Sequence, residues 1–189
     1  MKTFELKGTL RTDLGKKATK AIRVAGSVPC ELYGEGENIH FTCTMGDLRK
    51  LIYTPEIYVV NLNIDGKEIK AVMREIQFHP VTDKVLHIDF YQVTEQKPVV
   101  MEVPVKLEGL AAGVRAGGKL SLEMRKLRVK ALYTNIPEIL VINVEKLELG
   151  KTIQVRALDF ENLEILNAAN AVVCAVQLTR AARGAQAKG

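Results

Sequence analysis

The stretch of sequence that decides the fold is Ile57-Tyr-Val-Val-Asn-Leu-Asn-Ile64, then Asp65-Gly66, then Lys67-Glu-Ile-Lys-Ala-Val-Met-Arg-Glu-Ile-Gln-Phe78. Apolar and polar residues alternate on both sides of the central pair, and this period of two is typical of half-buried strands. An Asp-Gly pair between two such runs predicts a two-residue hairpin, because both turn positions need a positive φ. We therefore predict two antiparallel strands joined at Asp65-Gly66.

Further short strands surround this hairpin along the chain. The same alternation predicts strands over 4–10, 28–33, 38–43 and 85–93, and His79-Pro80 ends the second strand of the hairpin. Thr44 is placed to cap a short helix over 48–52, which stops ahead of a proline. Six or so short strands and two small helices in about 90 residues predict a mainly β domain, a compact six-stranded barrel that closes its own edges.

A second region begins at Lys97-Pro98. Pro98 and Pro104 bracket a β-branched run, and Gly, Pro, Asn and Asp separate the strands predicted after it, at 120–133, 139–144, 152–158 and 171–178. We predict a barrel domain over 1–94 and a second, mainly β domain over 95–179. The basic segment 180–189 has little to pack, so we expect it to be disordered.

Positive charge is concentrated near the start of the chain. Residues 7–23 hold six Lys and Arg against one acid, a net charge of +5, whereas residues 24–91 carry a net charge of −4. Such a strip attracts a polyanion, since phosphate contacts supply most nucleic-acid affinity, and the alternative interpretation is a charged face that meets only solvent. The sequence also predicts a helix over 16–25 that ends at Gly26, with Lys16, Lys20 and Arg23 on one face and Ala18, Ala21, Ile22 and Ala25 on the face to be buried.

The segment Gly113-Val-Arg-Ala-Gly-Gly118-Lys119-Leu120 nearly matches the phosphate-binding loop GxxxxGK[ST]. Leu120 stands where a Mg²⁺-binding hydroxyl is required, and a strand-like pattern follows where a helix should open. A nucleotide site and a flexible Gly-rich surface loop are the two interpretations, and the sequence favours the loop.

His87-Ile-Asp89-Phe-Tyr91 places His87, Asp89 and Tyr91 on one face of a strand. Such an imidazole–carboxylate pair can stabilise the fold, or it can bind base edges and 2′-hydroxyls in the shallow minor groove of RNA. Tyr33 has the same two interpretations: it belongs to the core, or it presents its ring and hydroxyl beside the basic helix.

Other classes of function have no signal in the sequence. No apolar run approaches 18 residues, and charges interrupt the N-terminal segment, so neither a membrane helix nor a secretory signal is expected. The three cysteines form no CxxC pair, and neither the histidines nor the serines stand in a catalytic motif. We expect no catalytic residue, no metal, no cofactor and no small-molecule substrate, and reduced thiols in a cytoplasmic protein.

An ordered set of residues carries a family resemblance: Arg11, Gly15-Lys16, Ala18, Arg23, Pro29, Tyr33-Gly34, His79-Pro80 and His87-Ile-Asp89-Phe90. Over roughly 1–92 the chain resembles the bacterial large-subunit ribosomal proteins numbered twenty-five, which bind 5S rRNA. The second domain and basic tail resemble the long form of that family, called the CTC or general stress type.

The resemblance implies a six-stranded barrel docked on a non-Watson–Crick internal loop of 5S rRNA in the central protuberance. It implies RNA contacts at Arg11, Lys16, Lys20, Arg23, Tyr33, Arg74, His87 and Asp89. Lysine at position 20, where arginine is common in the family, suits a phosphate contact rather than a bidentate base contact. The expected partners are 5S rRNA and components of the large subunit, and two alternatives stay open: a stress-induced RNA- or tRNA-binding protein held loosely by ribosomes, and a nucleotide-binding enzyme.

Overall fold

A computed structural model of the protein describes residues 1–180. They divide into two compact units: the first joins Met1–Val99 with Leu132–Thr134, and the second joins Val100–Ala131 with the chain from Asn135 onward. The domain boundary between residues 94 and 95 stays a prediction. Apart from Arg180, the tail predicted to be disordered lies outside the described residues.

The first unit contains a closed six-stranded barrel, so the predicted mainly β fold is confirmed. Its strand order is β1-β3-β2-β6-β5-β4, in which the β1–β4 and β2–β6 pairs are parallel and the other pairs are antiparallel. The elements are β1 (Lys2–Leu10), α1 (Lys16–Val24), β2 (Ser27–Tyr33), β3 (Ile39–Thr44), α2 (Met45–Ile52), β4 (Tyr58–Ile64), β5 (Lys67–Phe78) and β6 (Val85–Gln92).

The hairpin forms at the predicted turn. Asp65 and Gly66 have φ angles of 48° and 89°, and the Asp65 carboxylate accepts a hydrogen bond of 3.1 Å from the Leu10 backbone N–H. This bond fastens the turn to the end of β1, which runs parallel to β4. Inward-facing residues of all six strands fill the barrel, and the rings of Phe41 and Phe90 lie 5.7 Å apart at its centre.

The two helices differ in how they meet the barrel. Thr44 caps α2 as predicted, because its hydroxyl accepts from the Asp47 backbone N–H at 3.3 Å. The predicted buried face of α1 is wrong: no residue of α1 is buried, and Ala21 and Ala25 are exposed. Only the side of α1 next to β2 is partly covered, so this short helix lies on the barrel surface and leaves most of its circumference open.

The second unit holds two small sheets, with strand orders β10-β7-β9-β12 and β11-β13-β8. Its buried residues include Val103, Leu127, Val129 and Val173, from strands of both sheets. The elements are β7 (Val99–Glu108, whose first residue belongs to the first unit), α3 (Ala112–Arg115), β8 (Lys119–Leu122), β9 (Lys126–Ala131), β10 (Leu140–Asn143), β11 (Thr152–Gln154), a 3-10 helix (Val155–Ala157), β12 (Glu164–Ile165) and β13 (Val172–Gln177).

Three strand predictions in this unit are corrected. The strand predicted over 120–133 is broken, because the N–H groups of Glu123 and Met124 both donate to the Val173 carbonyl and turn the chain. The strand predicted over 152–158 ends at Gln154 and continues as the 3-10 helix. Pro104 lies inside β7 and does not bound it; pairing of β7 with β10 begins only at Val105.

The Gly-rich segment forms the short helix α3 and a turn, with Gly113 buried, and the flexibility predicted for it stays a prediction. A Cβ atom on Gly113 would lie 2.5 Å from the Leu149 backbone nitrogen, and one on Gly118 would lie 2.5 Å from side-chain atoms of Leu149 and Val176. All six backbone N–H groups from Gly113 to Gly118 donate to carbonyls of the protein. Because a phosphate-binding loop needs such groups free for its ligand, this geometry argues against a nucleotide site.

Candidate nucleic-acid interface

The pairing of β3, β2, β6 and β5 brings distant polar residues together on the outside of the barrel. Glu31 of β2 lies opposite Asp89 of β6, and Tyr33 lies opposite Tyr91. Their strand neighbours Leu32 and Phe90 point inward and are buried. We call this outer side of the four strands, together with the adjoining helix α1, the recognition face.

His87 and Asp89 form a hydrogen-bonded pair on β6. His87 Nδ1 lies 2.7 Å from Asp89 Oδ1, and the two side chains are 24% and 28% exposed. Because Nδ1–H donates to the carboxylate, Nε2 of a neutral imidazole carries the free lone pair. The pair therefore offers the second carboxylate oxygen to solvent as a hydrogen-bond acceptor, together with Nε2, which accepts in a neutral ring and donates in a protonated one.

Tyr33 stands beside this pair and is half-buried. Its ring contacts Tyr91 edge-on, with centroids 5.6 Å apart. Burial, followed by the nearby Asp89 carboxylate, raises the pKa of the Tyr33 hydroxyl, and the Arg74 guanidinium partly opposes this rise. The hydroxyl thus stays protonated at neutral pH and can donate a hydrogen bond to a ligand.

Two irregularities in the β5–β6 pairing position further residues. Met73 pairs with Phe90 and Glu75 with Asp89, so Arg74 is an extra residue on β5. Gln77 pairs with His87 and Phe78 with Val85, so Leu86 is an extra residue on β6. Bulges of this kind redirect side chains and free backbone groups from the ladder.

The backbone carbonyl of Leu86, which the bulge frees from strand pairing, is bonded to the basic helix α1. Arg23 Nε donates to it at 2.9 Å, which ties the last turn of α1 to the residue before His87. The predicted basic face is present, since Lys16, Lys20 and Arg23 are all exposed. Gly15, with a φ of 111°, turns the chain into α1, where its carbonyl accepts from both the N–H and the hydroxyl of Thr19.

Arg11 lies beside β3, at the edge of the recognition face that is away from β5. Its backbone N–H donates to the His40 carbonyl at 2.9 Å, immediately after β1 ends. Its side-chain Nε is buried and has no hydrogen-bond partner within residues 1–180. Because Nε has no exposed surface, a ligand would have to be bound by the terminal amino groups of this guanidinium.

The fold thus brings Tyr33, Arg74, His87 and Asp89 together, and Arg23 joins them through Leu86. Lys16 and Lys20 lie on the same helix as Arg23, but within residues 1–180 no hydrogen bond or ion pair ties them to the strands. Sequence reasoning missed two neighbours, Glu31 and His40. Only the alternation of β3 marked His40 as outward-facing, and nothing local marked Glu31 as a neighbour of Asp89.

Other kinds of site are not found in the described part of the chain. Residues 1–180 contain no group of three or more His, Cys, Asp or Glu side chains suited to a metal ion. Cys30, Cys43 and Cys174 are buried and form no disulfide, and a hydrogen bond with Cys43 together with burial raises the pKa of the Cys30 thiol. Within the same residues, no helix is long and apolar enough to cross a membrane.

Comparison with known proteins gives two family matches and full-length relatives. The ribosomal L25p family matches residues 6–90, and the C-terminal domain of ribosomal protein TL5 matches residues 98–180. The chain is 62% identical over 194 residues to the large ribosomal subunit protein bL25 of Phocaeicola vulgatus, covering 99% of this chain and 98% of that protein. It is also 62% identical over 190 residues to the bL25 protein of Porphyromonas gingivalis, covering 100% and 99% of the two chains.

Proposed function

Because the chain belongs to the ribosomal L25p family, we propose that it binds an internal loop of 5S rRNA through the recognition face. As a member of that family it is a structural protein of the large ribosomal subunit and not an enzyme. The observation that carries the RNA proposal is the union of two features on one side of the barrel: the exposed cations of α1 and the acceptor-presenting His87–Asp89 pair.

The cations of α1 would contact phosphates. Lys16, Lys20 and Arg23 fall within about 60° of one another on a helix with 100° per residue, so all three can face one stretch of backbone. No acidic residue stands in the first turn of α1, and the helix N-terminus adds positive potential of its own. Phosphate contacts of this kind fix the position of the RNA but carry no sequence information.

The strands would supply recognition. A carboxylate repels phosphate, so Asp89 is useful against RNA only where it accepts hydrogen bonds from amino or hydroxyl groups or fixes the orientation of His87. Those donors line the minor groove as 2′-hydroxyls and base amino groups, in a groove wide and shallow enough for side chains to enter. Tyr33 and Arg74 add a donor hydroxyl and a planar cation next to these acceptors.

The wider assignment follows from the same proposal. The protein would lie in the central protuberance of the large subunit, in the cytoplasm, with 5S rRNA as its direct partner. Arg11 would close the site on the side of β1, where its backbone is bonded to His40 of β3.

Purification of the tagged protein from cells, followed by sizing of the RNA bound to it, tests the proposal. We expect enrichment of an RNA of the length of 5S rRNA and retention of the protein on the large subunit in a high-salt sucrose gradient. A protein that leaves the subunit at high salt and carries transfer RNA would instead support the loosely held, stress-induced alternative. Enrichment of neither RNA would refute the proposal.

A further inference from the structure

Glu31 occupies the centre of the recognition face. It pairs with His40 on β3 and with Asp89 on β6, so the three side chains form one row across three adjacent strands. Glu31 Oε1 accepts from Asn38 Nδ2 at 2.9 Å, and Oε2 lies 4.0 Å from His40 Nδ1. The Glu31 side chain is nevertheless 28% exposed, as much as that of Asp89.

Glu31 and His40 lie between residues that we propose to contact RNA. Arg11 is bonded to the backbone of His40 on one side, and Asp89 neighbours Glu31 on the other. Tyr33 follows two residues later on the same strand and face, where the charge of Glu31 contributes to its raised pKa. An RNA that contacts Arg11, Tyr33 and Asp89 together must therefore cover Glu31 and His40.

The chemistry of this pair repeats that of His87 and Asp89. Each pair places a carboxylate beside an imidazole Nδ1, at the hydrogen-bond distance of 2.7 Å for His87–Asp89 and at 4.0 Å, beyond hydrogen-bond distance, for His40–Glu31. Two neighbouring carboxylates under a nucleic acid are unfavourable against phosphate but favourable against amino or hydroxyl donors. A row of acceptors between Arg11 and Arg74 thus fits a groove edge flanked by phosphates.

We propose that Glu31, held by a hydrogen bond from Asn38 and flanked by His40, is a further specificity-determining residue that accepts hydrogen bonds from RNA amino or 2′-hydroxyl groups. The inference rests on the proposed function and extends recognition from one imidazole–carboxylate pair on β6 to a second pair on β2 and β3. Glu31 is therefore more than the surface partner of Asn38.

The first test measures binding of full-length Glu31→Ala and Glu31→Gln to the 5S internal-loop RNA and to an A-form duplex of equal length. Removing a carboxylate that only repels RNA strengthens binding to both RNAs. Removing one that accepts hydrogen bonds weakens loop binding, by about tenfold for alanine and less for glutamine, while duplex binding stays level or rises. Glu68→Ala is the matched control: it removes the same charge from the start of β5, away from the recognition face, and should not weaken loop binding.

A second variant separates recognition from a structural role. Asn38→Ala breaks the Asn38–Glu31 bond and leaves the carboxylate in place. If Glu31 mattered only through that bond, Asn38→Ala and Glu31→Ala would lower the melting temperature and the loop affinity alike. We expect Asn38→Ala to retain most of the discrimination between loop and duplex that Glu31→Ala loses.

Modified RNAs identify the donor. Inosine in place of guanosine removes the N2 amino group, and 2′-deoxy nucleotides remove the hydroxyl, one loop position at a time. At the nucleotide that bonds Glu31, the modification should weaken binding of the wild-type protein and leave binding of Glu31→Ala unchanged. An effect of inosine identifies an amino donor, and an effect of the 2′-deoxy nucleotide identifies a hydroxyl donor. Equal losses for both proteins at every position would overturn the inference.

The outcomes also distinguish this inference from the proposed function. Wild-type protein that binds loop and duplex equally would remove the proposed function and this inference with it. Wild-type protein that prefers the loop, with Glu31→Ala unchanged or tighter on both RNAs, would remove only the inference.

Discussion

Arg23 makes a hydrogen bond within the protein and is proposed to contact a phosphate of the RNA, and substitutions can measure the two effects separately. Its Nε donates to the Leu86 carbonyl at 2.9 Å, and its exposed guanidinium has no other partner within residues 1–180. Losing a partly exposed hydrogen bond costs about 1 kcal/mol, which lowers the Tm of a protein of this size by about 2–4 °C. Losing one phosphate contact reduces the slope of log K against log[salt] by roughly 0.7–0.9.

Three variants divide these effects. Arg23→Ala should lower both the Tm and the salt slope of 5S rRNA binding. Arg23→Lys keeps the charge but not the Nε geometry, so it should lower the Tm and preserve the slope. Lys16→Ala removes an exposed charge with no partner in the described chain, so it should reduce the slope and leave the Tm nearly unchanged.

Thermal unfolding by circular dichroism and binding titrations at four or more salt concentrations provide the two measurements. A lower Tm for Arg23→Ala, with no change of the salt slope in either Arg23→Ala or Lys16→Ala, would refute the contact between α1 and phosphate. That result would make α1 a structural element whose charges face solvent and not RNA.

Three further substitutions or truncations have defined outcomes. Asp89→Ala should reduce discrimination between the internal loop and an A-form duplex more than it reduces duplex binding, and tighter binding to both RNAs would contradict that role. Residues 1–94 hold the whole barrel core, from Leu6 to Phe90. This fragment should therefore unfold cooperatively in denaturant and bind 5S rRNA with an affinity within about tenfold (about 1.4 kcal/mol) of that of the full chain. A folded fragment that fails to bind would show that the second unit helps build the site. Gly113→Ala should destabilise the second unit by about 1–3 kcal/mol or more, because the added Cβ would lie 2.5 Å from the Leu149 backbone. Gly46→Ala is the control: its added Cβ would have no neighbour closer than 3.8 Å, so this variant should unfold no more easily than wild type.

The parts of the fold that depend on local chemistry could be predicted from the sequence. The Asp65-Gly66 turn needs two positive φ angles, and its flanking alternation sets which residues enter the core. Thr44 capped its helix because the bond lies within one turn of chain. The break after β8 could not be foreseen, since two N–H groups turn toward Val173, some 50 residues away along the chain.

In the candidate site, too, the features that depend on local sequence could be predicted, and those that depend on long-range strand pairing could not. The basic face of α1 and the His87–Asp89 pair follow from spacing within one element, so they were predicted. The position of Glu31 beside His40 and Asp89 depends on the registers of two strand pairs, and the bond from Arg23 to Leu86 depends on a bulge in a third pair. Register and bulges arise from long-range packing and leave no local pattern.

The central claim is that the recognition face selects a non-Watson–Crick internal loop of 5S rRNA. The most direct measurement is an equilibrium titration of the full chain against 5S rRNA and against the same RNA with that loop replaced by Watson–Crick pairs, at one fixed salt concentration. We predict weaker binding to the replaced RNA by about 100-fold, or about 2.7 kcal/mol. Equal affinity for the two RNAs would mean that the face binds charge alone and would contradict the claim.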